Sequence, residues 1–266
     1  MATAAEIRDH YDSLAFVYRT FWGDHIHHGL FLTGDESPAD AQLQMLDHCV
    51  ALLDLRGGEH VLDVGCGHGG TSVYLASRFS CQVQGLTLSD KQSRLALDNA
   101  RTARVPHTTS FLVQDADLHE FPAEAFDVVW TMESSEHFAN KPRYFANVSR
   151  TLRPEGQLLL AAWTGSMDRP RIRAVSRAFL CPELWTLEQY QSAIRAAGMQ
   201  VKHCQDLTSK IIRTWEICQE RASLARPIVT LLPRAAREFV EGIAIILDAY
   251  RSGELTYTVL TAEKIS

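Results

Sequence analysis

Val61-Leu62-Asp63-Val64-Gly65-Cys66-Gly67-His68-Gly69-Gly70 decides the fold. Val61, Leu62 and Val64 make an apolar, β-forming run that stops abruptly in glycines. A strand that feeds a glycine-rich turn and then a helix offers backbone N–H groups to a ligand, with no side chains in the way. The letters Gly65-x-Gly67-x-x-Gly70 also satisfy the dinucleotide-binding pattern, which alone is a weak signal. Two features pull away from a nicotinamide oxidoreductase. Asp63 precedes the glycines, where its carboxylate anchors the loop or faces a cationic ligand group rather than a pyrophosphate. The next strand ends in Thr87-Leu88-Ser89, with no acid at its tip for a ribose hydroxyl, although Asp90 lies close by.

Outward from this loop, short β-rich runs alternate with amphipathic stretches, the pattern of a parallel sheet covered by helices. Strands are expected at residues 60–64, 82–88, 110–113, 126–132 and 157–163, with helices at 69–79, 90–104 and 142–152 between them. The last of these helices should stop at the breaker cluster Arg153-Pro154-Glu155-Gly156. Beyond Trp163, helices at 169–179 and 187–197 precede a strand at 199–206. Helical stretches at 209–224 and 234–250 then lead to an alternating final strand at 255–262. Five core strands and two terminal ones make seven. The first 58 residues are different in kind, rich in His and aromatics, with a helix at 39–55. The expected organisation is a helical cap over 1–58, a ligand-binding core over 59–164, and lid helices with the last two strands over 165–266.

Composition narrows the function. Among 266 residues, 26 Lys+Arg against 32 Asp+Glu give a net charge of −6, which argues against a nucleic-acid partner. Hydrophobic residues at 46% and charged residues at 22% are those of a globular chain, long enough to bury a core without disulfides. The six cysteines form no CxxC and no zinc-ligand spacing, so they read as reduced thiols. Residues 1–10 lack a signal-peptide core, and no run approaches the ~20 apolar residues of a membrane span. A cytoplasmic protein without membrane insertion is the expectation.

VLDVGCGHGG resembles motif I of class I S-adenosylmethionine-dependent methyltransferases. The wider chain is similar to the γ-tocopherol methyltransferase-like and cyclopropane-synthase-like branch of that superfamily. The matching pieces are GDHIHHGLF (residues 23–31), GLTLSDKQ (85–92), MESSEHFANKPRYFANVSRTLRPEG (132–156) and LTYTVLTAEK (255–264). The resemblance implies a Rossmann-like α/β fold: a mostly parallel seven-stranded sheet, an antiparallel terminal strand, a helical cap and a helical insertion before the last strand. It also implies S-adenosyl-L-methionine as cofactor, a small-molecule acceptor as partner, and an enzyme of class EC 2.1.1.-.

Residue by residue, the resemblance places Asp63, Gly65 and Gly67 around the methionine moiety, and Thr87 and Gln92 on the ribose hydroxyls. It puts Asp115 on the adenine amino group and the Ala116 backbone beside the ring. Met132 and Glu133 face the sulfonium and the acceptor, while Tyr11 and the His27-His28-Gly29 turn fold over the cofactor. Tyr18, Trp22 and Trp163 are expected to line the acceptor side.

Each assignment has a structural alternative. Asp115 also suits an Asx-turn. His25, His27 and His28 sit at i, i+2, i+3 in a loop, a poor metal-ligand set, so no metal is expected. His137 is the first candidate for removing an acceptor's proton and Glu133 the second, though a packed imidazole is an equal reading of His137. Arg169, Arg171, Arg173 and Arg177 read as a solvated helix face or as a grip for a phosphorylated acceptor.

The expected function is methyl transfer to O, N or C of a bulky, largely apolar metabolite of secondary metabolism. On a carbon acceptor, Glu133, Tyr11, Tyr18 and Trp22 would steady a cation. The alternative is a cyclase or isomerase that only binds the cofactor, with prenyl or terpenoid C-methylation as the nearer methyltransferase variant. Homo-oligomerisation is left open.

Overall fold

The structure, a computed structural model, describes residues 3–22, 25–224 and 234–265; the side chains of residues 14–22 and 235 lie outside that description. Helices α1 (Ala4–Trp22) and α2 (Pro38–Leu53) precede the sheet. Strand β1 (His60–Val64) and helix α3 (Gly70–Phe79) flank the glycine loop. Then come β2 (Gln82–Thr87), α4 (Asp90–Thr102), β3 (Thr109–Val113), β4 (Phe126–Met132) and α5 (Lys141–Thr151). Strand β5 (Leu152–Thr164) leads to α6 (Pro170–Ala178), α7 (Leu187–Ala196) and β6 (Met199–Asp206). Helices α8 (Thr208–Ile211), α9 (Arg213–Leu224) and α10 (Arg234–Arg251) come before β7 (Thr256–Lys264).

The seven strands form one sheet in the order β3-β2-β1-β4-β5-β7-β6. The pairs from β3 through to β5 are parallel, and β7 runs antiparallel to both β5 and β6. A parallel centre must be covered on both faces, and the two-residue side-chain period shows this directly. Val61, Trp130 and Leu159 enter one apolar cluster with Met45, Leu46 and Leu75 of α2 and α3. Their neighbours Leu62, Val129, Leu158 and Leu160 enter the opposite cluster with Phe145 of α5 and Tyr190 of α7.

The strand order reverses between β1 and β4, which opens a crevice at their C-terminal ends. Backbone crowding shapes that crevice. Gly65 has φ +81°, and a Cβ there would lie 2.3 Å from the Ser134 Cβ. The Ser134 hydroxyl donates to the Val64 carbonyl at 2.7 Å, so the two loops are laced together.

Two segments depart from the sequence reading. Residues 153–156 do more than stop a helix: they lie inside β5 as an irregularity, where pairing jumps from Phe126↔Leu152 to Val128↔Gln157. Glu155 takes φ +64° in this bulge. The expected helix at 209–224 is two, α8 and α9, with Ile212 between them. The α1 helix gives the aromatic front segment one form, packed against α4 and α10.

The close approach of β2 to β3 is testable at Gly85. A Cβ there would sit 2.6 Å from the Phe111 ring and 2.9 Å from Cys66 Sγ. Gly85→Ala is expected to lower stability by about 1–3 kcal/mol in urea denaturation, the usual range for overpacking. An unchanged midpoint would refute this packing.

Candidate active site

A cavity of about 240 Å³ occupies the crevice, floored by Gly65, Gly67, Thr87 and Met132 and roofed by Ile7 and Tyr11 of α1. Gly67 has φ +53°, and a Cβ on it would meet only Ile26 at 3.6 Å, so its backbone borders open space. Thr87 donates to the Gln92 side-chain oxygen at 2.7 Å, and Ser89 caps α4 by accepting the Gln92 N–H at 3.0 Å. That capping holds Thr87 and Gln92 together on one wall. On another wall are Asp115 and Ala116. Asp115 Oδ1 accepts the Asp117 N–H at 2.9 Å, so the Asx-turn and the cavity position coexist in one residue.

Asp63 lies beneath this floor. It is buried, its Oδ2 accepts from the Ser72 hydroxyl at 2.6 Å, and burial pushes its carboxyl up to about 6. With His27 and His68 it lines a void of about 30 Å³ that shares Gly65, Gly67, Ile26 and Met132 with the main cavity.

The β4 tip is built differently. Glu133 Oε1 accepts from the His28 backbone N–H and from the Tyr257 hydroxyl, both at 2.8 Å. Glu133 Oε2 lies 2.7 Å from His28 Nδ1. The Trp215 indole N–H donates to His28 Nε2. An indole N–H only donates, so Nε2 is bare and the ring's proton sits on Nδ1, toward Glu133. Burial opposes the Glu133 charge, but the His28 ring and N–H, with His27 beyond, hold the carboxyl below its usual range.

The same arrangement places His28 away from the main cavity, and Gly29 further still. Gly29 donates its N–H to the Thr214 hydroxyl at 3.0 Å, and a Cβ on it would lie 2.6 Å from the Ala41 Cβ. It is a packing glycine between α2 and α9.

After β4 the chain makes a 3₁₀ turn over Ser135–His137. His137 Nε2 sits 2.8 Å from the Tyr11 hydroxyl. Burial pushes its imidazole down to about 4, opposed by the Leu180 backbone, so the ring is neutral near pH 7. Tyr11, Ile26, Glu133 and His137 line both the main cavity and a second void of about 40 Å³. Trp163, Phe179, Trp215 and Glu136 wall that void. Trp163 meets Phe179 edge to face at 5.3 Å, and Phe179 meets Trp215 at 5.4 Å. The side chains of Tyr18 and Trp22 lie outside the described residues.

Glu136 escaped sequence reasoning. Its Oε1 accepts the Trp163 N–H at 2.7 Å, and burial pushes its carboxyl up to about 7. No sequence signal marked it, because its burial and its bond to the Trp163 N–H arise only in the fold. The arginine cluster of α6 is a surface brace. Arg171 pairs with Asp248 at 2.7 Å and Glu254 at 2.9 Å, and Arg173 donates to the Met167 carbonyl.

The floor suits one kind of ligand: a glycine backbone that leaves room, a polar pair for a diol, and a buried acid that lacks a cation. With the seven-stranded order and the chain's similarity to known methyltransferases, these define an S-adenosylmethionine-dependent methyltransferase. Comparison with known proteins narrows the class: the chain belongs to the mycolic acid cyclopropane synthetase family, whose model matches residues 1–241. It is 29% identical to the 27-O-demethylrifamycin SV methyltransferase of Amycolatopsis mediterranei, over 98% of each chain. It is 26% identical to the chloroplastic tocopherol O-methyltransferase of Arabidopsis thaliana, over 97% of this chain and 81% of that one. The crystal structure of the [4+2]-cyclase SpnF has the same fold, with a TM-score of 0.86 at 24% identity, covering 99% of this chain and 97% of that one. No helix among the described residues is long and apolar enough to cross a membrane.

Two outcomes are expected. Gly65→Ala forces a side chain into Ser134 at a positive φ, and should weaken S-adenosylhomocysteine binding by about 10-fold or more in calorimetry. The second concerns pH. Glu136 has a folded pKa of about 7, above its ordinary 4.5, so the native state holds its proton more tightly than the unfolded chain. The resulting stabilisation is complete below pH 4.5 and lost as pH rises through 7, in total about 3 kcal/mol. Glu136→Gln should remove that part of the slope when unfolding is followed from pH 5 to 8; an unchanged slope would contradict the assignment.

Proposed function

We propose that this enzyme methylates a hydroxyl group on a bulky, largely apolar small molecule of secondary metabolism, in the cytoplasm. The observation that carries the reading is the shared wall. Tyr11, Ile26, Glu133 and His137 border both the main cavity and the aromatic void, so in this reading a transferred group passes from one to the other at this wall. In this reading Asp63, Gly65 and Gly67 hold the methionine end of the cofactor. Thr87 and Gln92 hold the ribose, and Asp115 and Ala116 the adenine. When bound, S-adenosylmethionine supplies a methyl group already activated on a sulfonium.

The protein's share is positioning. Holding two reactants in line contributes up to about 7–11 kcal/mol in the best intramolecular cases. Helix α1 roofs the cavity with Ile7 and Tyr11. It is fastened there by Ser89, which donates to Asp12, and by Lys91 Nζ, which donates to the Asp12 carbonyl at 2.9 Å. The Tyr11 hydroxyl and His137 Nε2 are hydrogen-bonded at 2.8 Å, which fixes the phenol oxygen at the shared wall. Glu133, already accepting from three donors, positions the wall rather than taking a proton. Trp163, Phe179 and Trp215 supply the apolar surface for the acceptor. We assign acceptor choice to the cap (1–58) and the lid segment (165–266).

Two relatives named for O-methylation support oxygen as the atom methylated. The free thiols of the six cysteines suit a reducing compartment. The fold likeness to a [4+2]-cyclase keeps cyclisation without transfer as the second reading.

The deciding assay combines the enzyme, S-adenosylmethionine and a panel of phenolic and macrocyclic alcohols, read by mass spectrometry. A product heavier by one CH₂, formed together with S-adenosylhomocysteine, is expected. An isomerised product of unchanged mass, with the cofactor intact, would replace methyl transfer by cyclisation. Tyr11→Phe should lower kcat by about 10²-fold, at the low end of proton-transfer and hydrogen-bonding effects.

A further inference from the structure

We infer that His10, on the helix that roofs the site, selects the acceptor, and that the acceptor carries a second oxygen a few bonds from the one methylated. The inference rests on the methyltransferase reading above and specifies its acceptor.

Helix α1 passes over both cavities, and its side chains divide between them. Ile7 and Tyr11, one turn apart, roof the main cavity. His10 lies three residues after Ile7, on the same stripe of the helix, yet borders only the aromatic void. Tyr11 borders both, and its ring meets that of His10 edge to face at 5.5 Å. The shared wall therefore holds Tyr11, and His10 stands on the acceptor side of it.

Hydrogen bonding singles out His10 among the polar side chains of the void. Glu133 accepts from three donors. His28 is held between Glu133 and the Trp215 indole. His137 Nε2 is engaged with the Tyr11 hydroxyl. Glu136 receives the Trp163 N–H on Oε1 at 2.7 Å, and the Ser135 hydroxyl approaches its Oε2 at 3.5 Å. The Trp163 indole nitrogen and His137 Nδ1 are fully enclosed by protein. The His10 ring is half-buried, borders the void and makes no hydrogen bond among the described residues. Burial lowers its pKa, against the pull of Glu238 on α10, so the ring is neutral near pH 7. A neutral imidazole has one N–H to donate and one bare nitrogen to accept.

Size turns this free imidazole into a statement about the acceptor. The void is about 40 Å³, room for about three water-sized groups, so the body of the acceptor lies outside it. The oxygen that takes the methyl has to stand at the shared wall with Tyr11, Ile26, Glu133 and His137. An acceptor atom that reaches His10 is then a different atom, only a few bonds away. Once the acceptor displaces water, the imidazole regains its hydrogen bonds only from the ligand. A neighbouring hydroxyl or carbonyl supplies them, and a bare methylene leaves them unmade. The acceptor class is thus a catechol, an α-hydroxyketone or a vicinal diol on an apolar body, rather than an isolated hydroxyl.

The test uses full-length enzyme, S-adenosylmethionine and two probes that differ by one oxygen, para-nonylphenol and the corresponding nonylcatechol. Wild type should favour the catechol by about 10-fold or more in kcat/KM. His10→Phe keeps a ring in the contact with Tyr11 and removes both nitrogens. It should raise KM for the catechol by about 10-fold and leave kcat/KM for the phenol within about 2-fold. It should bind S-adenosylhomocysteine within about 2-fold of wild type, because His10 does not line the main cavity. His10→Gln restores a donor and an acceptor, and should recover most of the catechol preference. An unchanged catechol KM in His10→Phe would reduce His10 to a packing residue and overturn its role. A wild type that treats the two probes alike would overturn the second-oxygen rule. Turnover of neither probe, with another alcohol of the panel methylated, would overturn that rule and leave the parent reading standing. A wild type that methylates nothing in the panel would remove both.

Discussion

The site depends on one buried interaction, the clasp of Glu133 by His28 and Tyr257. It joins the segment after α1 to the tip of β4 and to the last strand, and through Trp215 it reaches α9. A buried charge stripped of its partners costs about 3–5 kcal/mol, so these elements hold one another in place. The same residue turns the chain. Glu133 extends the sheet by donating its N–H to the Ala161 carbonyl at 2.8 Å, then takes φ +52° and releases the 3₁₀ turn that presents Glu136 and His137. Remove the clasp and the partition between the two cavities has no reason to stay where it is.

Around that clasp the two halves of the site differ in chemistry. The larger cavity sets backbone, hydroxyl and carboxamide groups of Gly65, Gly67, Thr87 and Gln92 among apolar side chains such as Ile7, Leu86 and Met132. Such groups hold a polar ligand without bulk, and they sit where parallel strands leave a crevice. The smaller void is walled by indole, phenyl and imidazole, with the two buried carboxylates of Glu133 and Glu136 beside them. Helix α1 is tied down at Ser89, Lys91 and His137, which holds Tyr11 in the wall the two cavities share.

Much of this was legible in the residues. The run from Val61 to Gly70 announces strand, loop and helix because β-branched residues and glycines force that order. The alternation in residues 255–262 announces a terminal strand for the same kind of reason. Pairing across the sheet was less accessible. Residues 153–156 look like a terminator, and only their partner β4 shows that the strand continues through a bulge. The site was legible as a set of residues rather than as a set of roles. Glu133 looks reactive in sequence because an acid after a strand usually faces a ligand. Its silence comes from His28 and Tyr257, more than a hundred residues away in each direction. Glu136 stayed hidden because its burial and its bond to Trp163 are tertiary facts. Gly29 is a packing residue for a similar reason: Ala41 and Thr214 crowd it from elements remote in the chain.

The most direct test of the account is a crystal structure with S-adenosylhomocysteine bound. The account predicts the sulfur at the shared wall of Tyr11, Ile26, Glu133 and His137, facing the aromatic void, with the adenine against Asp115 and Ala116. A sulfur turned away from that wall, or an adenine seated on the Gly65–Gly67 loop, would contradict it.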